Sequence, residues 1–357
     1  MIRLNSDTET RPTQAMREAI ANAAVGDEQR NEDPSVNALC ERVAAELGQE
    51  AAIFLPSGTM GNVIGVKTHT QPGDLLVAES LSHVLRAEGG GAAMISGVMT
   101  EAIVSPKAMP EPMPVLAPGT FNVEMLNMTL GSASALPSPY APPPRLLCVE
   151  QTHNFGGGSI WPLEQLTAVC DAAHDRGMAV HMDGARLMNA VVASGVRAAQ
   201  YGKCADSLWI DFTKGLGAPL GAVLAGSSEF IARAGRVKTA VGGAMRQAGI
   251  AAAACLYALD HHVDRLAQDH LNAQRLAMGL SDMPGVTLVY GPPQTNIVFF
   301  KVDGTRLSAT TFSERCLAQG LRVGPVAGAV RAVTHLDIAD ADIDTALTIM
   351  KAVVESA

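Results

Sequence analysis

One lysine lies in a turn crowded with glycine and proline, a setting suited to covalent chemistry. Lys214 follows a short apolar run that starts at Leu208, and it precedes Gly215-Leu216-Gly217-Ala218-Pro219. An amine captures an aldehyde only when it is neutral and held in place, which favours a partly desolvated lysine on a rigid turn. The chain has only seven lysines, and Lys214 is the one so placed. We therefore predict that Lys214 is a Schiff-base lysine.

An aspartate ends another apolar run upstream of that lysine, in the segment Val180-His181-Met182-Asp183. A carboxylate at this place can pair with a protonated pyridine nitrogen, and together with Lys214 it indicates pyridoxal phosphate (PLP). Each residue also has an ordinary interpretation. An aspartate at a strand end is often a turn or N-cap residue, and a lysine beside glycine is usually only solvated.

Small residues follow a third apolar run, at Ser57-Gly58-Thr59. If a helix begins there, its free amide groups and positive end suit a phosphate. The alternative is an ordinary turn with Ser57 or Thr59 as N-cap. The order of phosphate loop, aspartate and lysine favours the PLP interpretation. A dinucleotide fingerprint at residues 215–221 is rejected, because its glycine spacing is one residue too long and Pro219 interrupts the presumed helix.

These segments resemble the low-specificity L-threonine aldolases of PLP fold type I, and the resemblance runs nearly from end to end. The motifs that carry it, in chain order, are Asn5-Ser6-Asp7-Thr8-Glu9-Thr10-Arg11-Pro12, Asp33-Pro34-Ser35-Val36-Asn37-Ala38-Leu39, Pro56-Ser57-Gly58-Thr59, Glu150-Gln151-Thr152-His153-Asn154, the aspartate and lysine segments, Gly242-Gly243-Ala244-Met245-Arg246-Gln247 and Val333-Thr334-His335-Leu336-Asp337.

The resemblance implies roles for two histidines. The histidine that matches His83 stacks over the pyridine ring in the family, and the one that matches His153 approaches the substrate hydroxyl. His153, or a water that it holds, is then the candidate base for the β-hydroxyl proton. A lone histidine is otherwise more often structural than catalytic.

Two arginines are candidates for the substrate carboxylate. Arg186 and Arg331 would clamp it, since a guanidinium matches a carboxylate in a bidentate way that lysine cannot, and Ser6 could add a hydrogen bond. Fixing the carboxylate fixes which bond at Cα stands perpendicular to the ring, and for an aldolase this is Cα–Cβ. Otherwise either arginine is a surface salt bridge of little energetic value.

The resemblance therefore implies a lyase that cleaves L-threonine, L-allo-threonine and related β-hydroxy-α-amino acids to glycine and an aldehyde. A β-eliminating lyase or an aminotransferase would use the same cofactor but break another bond. A non-catalytic PLP-binding protein of the same fold is a third possibility. No metal ligand is predicted, because the six cysteines lie far apart with no Cys-x-x-Cys.

Other partners follow from bulk properties and from the fold type. A net charge of -9 argues against nucleic acid or an anionic membrane. Residues 1–20 carry charges throughout, unlike a signal peptide, and we predict a cytoplasmic protein. Fold type I enzymes usually build each site from two subunits, so we expect a homodimer or homotetramer in which Lys238 and Arg246 could reach a neighbour's phosphate.

Helical and strand patterns alternate along most of the chain, which predicts an α/β fold with a mainly parallel sheet, as in PLP fold type I (aspartate aminotransferase-like) enzymes. We assign residues 1–250 to a large PLP-binding domain and residues 251–357 to a smaller α+β C-terminal domain. The segments in which a helix or strand is predicted are 34–47 and 162–176 for helices and 51–55, 75–78, 146–149, 178–180 and 222–225 for strands.

Two segments depart from the family. Ten of the 20 prolines fall between Pro106 and Pro144, where we predict an ordered excursion with a short helix near residues 121–130. Arg30-Asn31 stands where related aldolases often carry Tyr-Gly. Arg30 could favour substrates with a polar or anionic β-substituent, such as 3-hydroxyaspartate, or it could pair with Glu28 or Glu32 at the surface.

Overall fold

A seven-stranded sheet forms the centre of the larger part of the molecule. The computed structural model describes residues 1–104, 116–134 and 139–356. The strands of all sheets in the described residues are β1 (Ile2–Arg3), β2 (Ala51–Leu55), β3 (Leu75–Glu79), β4 (Met99–Ile103), β5 (Pro144–Glu150), β6 (Ala179–Gly184), β7 (Ser207–Asp211), β8 (Ala222–Gly226), β9 (Thr287–Leu288), β10 (Ile297–Lys301), β11 (Leu321–Arg322), β12 (Gly324–Val326) and β13 (Ala329–Val333).

The large sheet has the order β2-β8-β7-β6-β5-β3-β4. Strand β8 runs antiparallel to both of its neighbours, and the pairs from β7 to β4 are parallel. The predicted mainly parallel sheet is therefore confirmed. Parallel strands place their carboxyl ends at one edge, where ligands bind in open α/β sheets.

Helices cover both faces of this sheet, and others pack around the second apolar core in the C-terminal part of the chain. They are α1 (Gln14–Ala21), α2 (Pro34–Leu47), α3 (Gly58–His69), α4 (His83–Arg86), α5 (Val123–Ala133), α6 (Leu163–His174), α7 (Leu187–Ser194), α8 (Ala198–Gly202), α9 (Ser228–Ala240), α10 (Gly249–His261), α11 (Leu266–Ser281), α12 (Ala309–Ala318) and α13 (Asp340–Glu355).

Helix α2 shows how local sequence sets an element. The Asp33 side chain accepts a hydrogen bond from the Val36 amide, and Pro34 occupies the first turn, where its missing N–H costs nothing. Gly48 ends the helix with a φ of 65°, a left-handed conformation that glycine adopts without strain. The helices predicted at residues 34–47 and 162–176 are both present.

The chain after α10 builds a second layer around its own apolar core. Strands β12, β13, β10 and β9 form an antiparallel sheet in that order. The apolar cluster of the large sheet extends along the chain to Leu266. The second cluster consists of residues from Ala273 onward together with Leu4 from the N-terminal segment. Strand β1 also pairs with β11. The N-terminal segment thus packs on the second core, while the division of the chain at residue 250 stays a prediction.

The proline-rich segment is described only in part. Residues 105–115 and 135–138 lie outside the described residues. Between them, α5 occupies residues 123–133, and the Asn122 side chain caps it by accepting from the Met125 amide at 2.9 Å. The short helix predicted near residues 121–130 is therefore present. Among the helices of the described ranges, none is long and apolar enough to span a membrane.

Candidate active site

A cavity of about 340 Å³ opens at the carboxyl edge of the large sheet, between the ends of β5, β6 and β7 and the start of α3. It brings together nine of the predicted site residues. The residues that line it are Ser6, Thr8, Ser57, Gly58, Thr59, His83, Glu88, Glu150, Asn154, Asp183, Ala185, Arg186, Trp209, Asp211, Thr213, Lys214 and Arg331.

Lys214 projects into the cavity from a closed turn after β7. Its Nζ lies 3.0 Å from Oδ2 of Asp211 and 5.7 Å from the ring centre of Trp209, and its side chain is 17% exposed. The Gly217 amide and the Thr10 hydroxyl each donate to the Lys214 carbonyl at 2.9 Å. The lysine is thus partly desolvated on a rigid turn, as a covalent role requires.

Asp183 lies at the end of β6 and is almost fully buried. Its Oδ1 accepts from the Ala185 amide at 3.0 Å, and its Oδ2 accepts from Nδ2 of Asn62 at 2.7 Å. Burial raises the pKa of this carboxyl, and the nearby Glu150 raises it further. A cationic ring nitrogen placed beside Asp183 would lower its pKa and so oppose both effects.

The start of α3 forms the small-residue wall of the cavity. The Ser57 hydroxyl accepts from the Met60 amide at 3.4 Å, so the N-cap interpretation of Ser57 is confirmed. Amide groups in the first turn of a helix have no acceptor within that helix, which leaves those of Gly58 and Thr59 for an anion. A Cβ on Gly58 would lie 2.7 Å from the Trp209 ring and 2.9 Å from Oδ2 of Asp211, so glycine is needed there.

His83 begins α4 and lines the cavity. Its Nδ1 pairs with Glu88, and its backbone amide donates to Oε2 of Glu150 at 2.7 Å. Burial lowers the pKa of His83, but the hydrogen bond to Glu88 and the charges of Asp183, Glu88 and Glu150 together outweigh burial, so the pKa is raised. Glu88 follows five residues after His83 and was not among the residues that the sequence indicated.

One group of side chains in the described part of the chain could also hold a metal ion. His83, Glu88 and Asp183 each offer a ligand atom, all within 4.8 Å of one another. Hydrogen bonds to Asn62 already engage both carboxylates, and Glu88 is paired with His83. The cluster is therefore explained by internal hydrogen bonds and needs no ion.

Arg186 lines the cavity, as predicted, and part of its guanidinium already has partners within the fold. Its Nε and Nη2 donate to the two carboxylate oxygens of Asp7, both at 2.7 Å, and its Nη1 donates to Asn154 at 3.2 Å. Burial raises the pKa of Asp7, but Arg186 outweighs burial and holds it well below its usual range. These bonds use three of the five guanidinium N–H groups, so the role of Arg186 in binding the substrate carboxylate stays a prediction. Asp7 lies in the N-terminal motif, yet its pairing could not be predicted from spacing.

Arg331 remains the cation best placed for a substrate carboxylate. It lies in β13, its Nη1 donates to Oδ1 of Asn154 at 3.2 Å, and its Nη2 donates to the Asn5 carbonyl at 3.2 Å. Its Nε is buried and has no hydrogen-bond partner within the described ranges. Ser6 lines the same side of the cavity, and its hydroxyl accepts from the Thr8 amide at 3.2 Å.

His153 does not reach the cavity, contrary to the predicted contact with a substrate hydroxyl. It is fully buried, and its Nδ1 accepts from the Gly156 amide at 3.0 Å. Its Nε2 lies 3.1 Å from Oε2 of Glu79 and 4.0 Å from Oε2 of Glu150. Burial lowers its pKa, but the two carboxylates outweigh burial and raise it. Its neighbours come from three parts of the chain, so only the fold reveals this position.

Arg246 also lies outside the cavity of the single chain, although it was predicted to bind the cofactor. Its Nη1 lies 3.0 Å from Asp27, and its side chain is largely exposed. Lys238 is buried and pairs with Glu28. Both cations therefore hold the turn that contains residues 27–30 and do not contribute to the cavity within this chain.

Comparisons with known proteins identify the family of the chain. The family described as "Beta-eliminating lyase" matches residues 3–305. The chain is 37% identical over 348 residues to low-specificity L-threonine aldolase 1 of Arabidopsis thaliana, covering 97% of this chain and 94% of that protein. It is 36% identical over 338 residues to the low specificity L-threonine aldolase of Escherichia coli strain K12, covering 95% of each.

Solved structures share the fold at low sequence identity. A Leishmania major threonine aldolase superposes with a TM-score of 0.81 at 18% identity, covering 99% of this chain and 100% of that one. A serine palmitoyltransferase of Sphingomonas wittichii superposes with a TM-score of 0.73 at 19% identity, covering 100% of this chain and 87% of that one. The chain has the PLP fold type I architecture. From the extent of these matches, the chain belongs to the low-specificity L-threonine aldolase family, within the beta-eliminating lyases.

Proposed function

We propose that this lyase is a PLP-dependent aldolase that cleaves L-threonine, L-allo-threonine and related β-hydroxy-α-amino acids to glycine and an aldehyde. The observation that carries the proposal is the convergence of Lys214, Asp183, the start of α3 and Arg331 on one cavity. Relatives of this chain that match over most of its length are named for the same activity.

The residues of the cavity fit PLP in three places. Asp183 offers a buried carboxylate to a protonated ring nitrogen, and the Ser57-Gly58-Thr59 turn offers amide groups to the phosphate. Lys214 is the cavity-lining lysine that could bond to the aldehyde carbon. The space that a Cβ on Gly58 would fill is part of this cradle. His83 lies on the cavity wall, where it could pack against the ring.

PLP, when bound, supplies an electron sink for the cleavage of a bond at Cα. Asp183 keeps the ring nitrogen protonated, because an ionised carboxylate favours the cationic form. Arg331 binds the substrate carboxylate through charge-assisted hydrogen bonds. Because that contact fixes the rotation about the N–Cα bond, it selects Cα–Cβ as the bond that lies perpendicular to the ring.

The β-hydroxyl proton needs an acceptor, and His83 is the histidine that lines the cavity. Its Nδ1 faces Glu88, so Nε2 is left to accept the proton. Because Glu88 raises the pKa of His83, it makes the neutral imidazole a stronger base. Arg186 acts differently from Arg331: through Asp7 and Asn154 it holds the N-terminal segment against the cavity.

The family description itself favours a second candidate, β-elimination. Product analysis separates the two. Purified protein with PLP is incubated with L-threonine, L-allo-threonine and phenylserine, and the products are identified by mass spectrometry. Glycine with acetaldehyde or benzaldehyde supports the aldolase. Ammonia with a keto acid would indicate an eliminating lyase, a keto acid without ammonia would indicate an aminotransferase, and PLP binding without turnover would indicate a non-catalytic protein.

We further propose a homodimer or homotetramer in which Arg246, whose side chain is largely exposed, approaches the phosphate of a neighbouring subunit, whereas Lys238 is buried against Glu28 and is not proposed to do so. Arg246 lies near the glycine-rich segment that begins at Gly242. Light scattering of the active protein tests this, and an active monomer would exclude it. We also propose a cytoplasmic location, supported by six free cysteines, five of them buried. Localisation by fractionation of the source cells tests that proposal.

A further inference from the structure

A buried amide behind the cavity wall has all of its hydrogen-bonding groups in use. Asn62, in the second turn of α3, donates from Nδ2 to Oδ2 of Asp183 at 2.7 Å and to Oε1 of Glu88 at 3.0 Å. Its Oδ1 lies 2.7 Å from Nε1 of Trp209 and 3.3 Å from Nε2 of His181. An asparagine has two N–H donors and two lone pairs on its oxygen, and here each has a partner. The side chain is buried and does not line the cavity.

The chemistry of the partners fixes the direction of these bonds. Ionised carboxylates and an indole N–H leave no choice, since the amide must turn its NH2 group to Asp183 and Glu88 and its oxygen to Trp209. His181 Nε2 must then carry a proton and donate. Burial lowers the pKa of His181 to about 3, so the ring is neutral and its Nδ1 accepts.

The chain of bonds continues away from the cavity. Nδ1 of His181 lies 2.8 Å from the Ser207 hydroxyl, which lies 2.7 Å from Nε2 of His69. Burial lowers the pKa of His69 to about 4, so this ring is neutral too. The donors therefore all point one way, from His69 through Ser207 and His181 to Asn62 and its two carboxylates. Aligned bonds of this kind polarise one another.

Glycines on the sheet-facing side of α3 make this arrangement possible. A Cβ on Gly61 would lie 2.7 Å from the Trp209 ring, and a Cβ on Gly65 would lie 2.3 Å from the His181 ring. Any side chain at either position would push away a ring that bonds to Asn62. The helix thus combines a phosphate-binding turn at its start with space for this network one turn later.

We propose that Asn62 is a positioning residue that holds the carboxylates of Asp183 and Glu88 in one fixed arrangement. Through Glu88, Asn62 also orients His83. A change at Asn62 therefore alters the positions of Asp183 and His83 together. This inference rests on the proposed function, because it assumes that Asp183 pairs with PLP. It adds a role for a residue that touches neither the substrate nor the cofactor.

The test compares Asn62→Ser with Asn189→Ser. Asn189 is also buried, but its side chain bonds to His270 and not to a cavity-lining residue. Loss of the Asn62 donor removes a bond that favours ionised Asp183, so the pKa of Asp183 rises. We expect the acid limb of both PLP affinity and kcat/KM for L-threonine to move upward by about one pH unit, a roughly tenfold change in proton affinity. The control should keep the wild-type profile.

Other charged groups that face Asp183 stay the same in both variants: Glu150 from β5, His83 and Glu88 from the α4 segment, and Lys214. The Cys148 thiol also faces it. An unchanged acid limb in Asn62→Ser, or an equal shift in the control, would overturn the inference. If the wild type binds no PLP or releases no glycine, the proposed function fails instead, so the two failures are distinguishable.

A measurement on the unsubstituted chain covers the case in which Asn62→Ser does not fold. The chain has two tryptophans, so ¹⁵N labelling gives two indole signals, and Trp161→Phe identifies that of Trp209. Because Trp209 donates to Asn62, its indole signal should shift with pH as Asp183 ionises in protein without PLP. The Trp161 signal should stay constant. A Trp209 signal that is constant over the range in which PLP affinity changes would contradict the role of Asn62.

Discussion

Asp7 and Arg186 form a buried bidentate ion pair, with both N–O distances at 2.7 Å, between the N-terminal segment and the end of β6. Asn296 adds a third hydrogen bond to the Asp7 carboxylate at 3.1 Å. The pair joins the N-terminal segment to the cavity wall. Removing one partner from such a pair leaves a buried charge without compensation.

Asp7→Asn should therefore lower the free energy of unfolding by about 3 kcal/mol. Asp344→Asn is the matched control, because the Asp344–Arg275 pair is exposed on both sides and should contribute less than about 1 kcal/mol. Urea unfolding measures both. Since the pKa of Asp7 is lowered in the folded state, its stabilisation exists above its unfolded pKa of about 3.9 and is lost as pH falls further. A difference between wild type and Asp7→Asn that does not shrink below that pH would contradict this account.

Arg331→Ala should raise KM for L-threonine by about tenfold or more, because it removes a charge-assisted contact to the carboxylate. PLP affinity should change little, since the phosphate and ring partners are elsewhere in the cavity. Arg331→Lys should recover only part of the loss, because an ammonium cannot bind a carboxylate in a bidentate way. Steady-state kinetics measure KM, and PLP titration measures the affinity for the cofactor. A loss of PLP affinity as large as the rise in KM would show that Arg331 binds the cofactor.

Lys214→Ala should abolish covalent attachment of PLP while leaving the fold intact. Wild-type protein with PLP is reduced with borohydride, digested and analysed by mass spectrometry. We expect the label on Lys214, which lies in the cavity, and none on Lys238, which is buried with Glu28. Label on any other lysine would show that Lys214 has another role.

His153→Asn separates a structural histidine from a catalytic one. Since the structure encloses His153 among Glu79, Glu150 and the Gly156 amide, we expect a loss of stability and a fall in kcat of less than about tenfold. A general base would cost about 10² to 10⁴ in rate. Its raised pKa means that the stabilisation is present at low pH and is lost as pH rises through the folded value. Kinetics and thermal unfolding between pH 5 and pH 9, a range of about four units around the ordinary histidine pKa, test both statements.

Arg30→Tyr should leave the kcat/KM ratio between 3-hydroxyaspartate and threonine unchanged within about twofold. The Arg30 side chain is 73% exposed, its Nε lies 3.8 Å from Asp27, and it does not line the cavity of its own chain. Of the two interpretations of Arg30, this geometry supports a surface ion pair, but the partner is Asp27 and not the predicted Glu28 or Glu32. A change of about tenfold or more would place Arg30 at the cavity of another subunit and restore the role in substrate choice.

The sequence by itself was sufficient for the fold class and for the residues that follow strands. Lys214, Asp183 and the Ser57 turn each come directly after an apolar run, and the carboxyl ends of parallel strands share one edge of a sheet. Helix α2 was predictable because its cap, its first-turn proline and its terminal glycine are local signals. The positions of strand ends and helix caps depend on residues close together in the sequence. They can therefore be predicted without knowing contacts to distant parts of the chain.

Only the tertiary structure decided which side chains are already occupied. Arg186 and Arg331 look alike in sequence, but Asp7, which is 179 positions from Arg186, pairs with the first of them. His153 is fully buried beside Glu79 of β3 and does not line the cavity. The role proposed for Asn62 depends on hydrogen bonds to residues as far as 147 positions away. A buried polar group forms hydrogen bonds with the groups that the fold places next to it. A single sequence does not show which residues distant along the chain become neighbours.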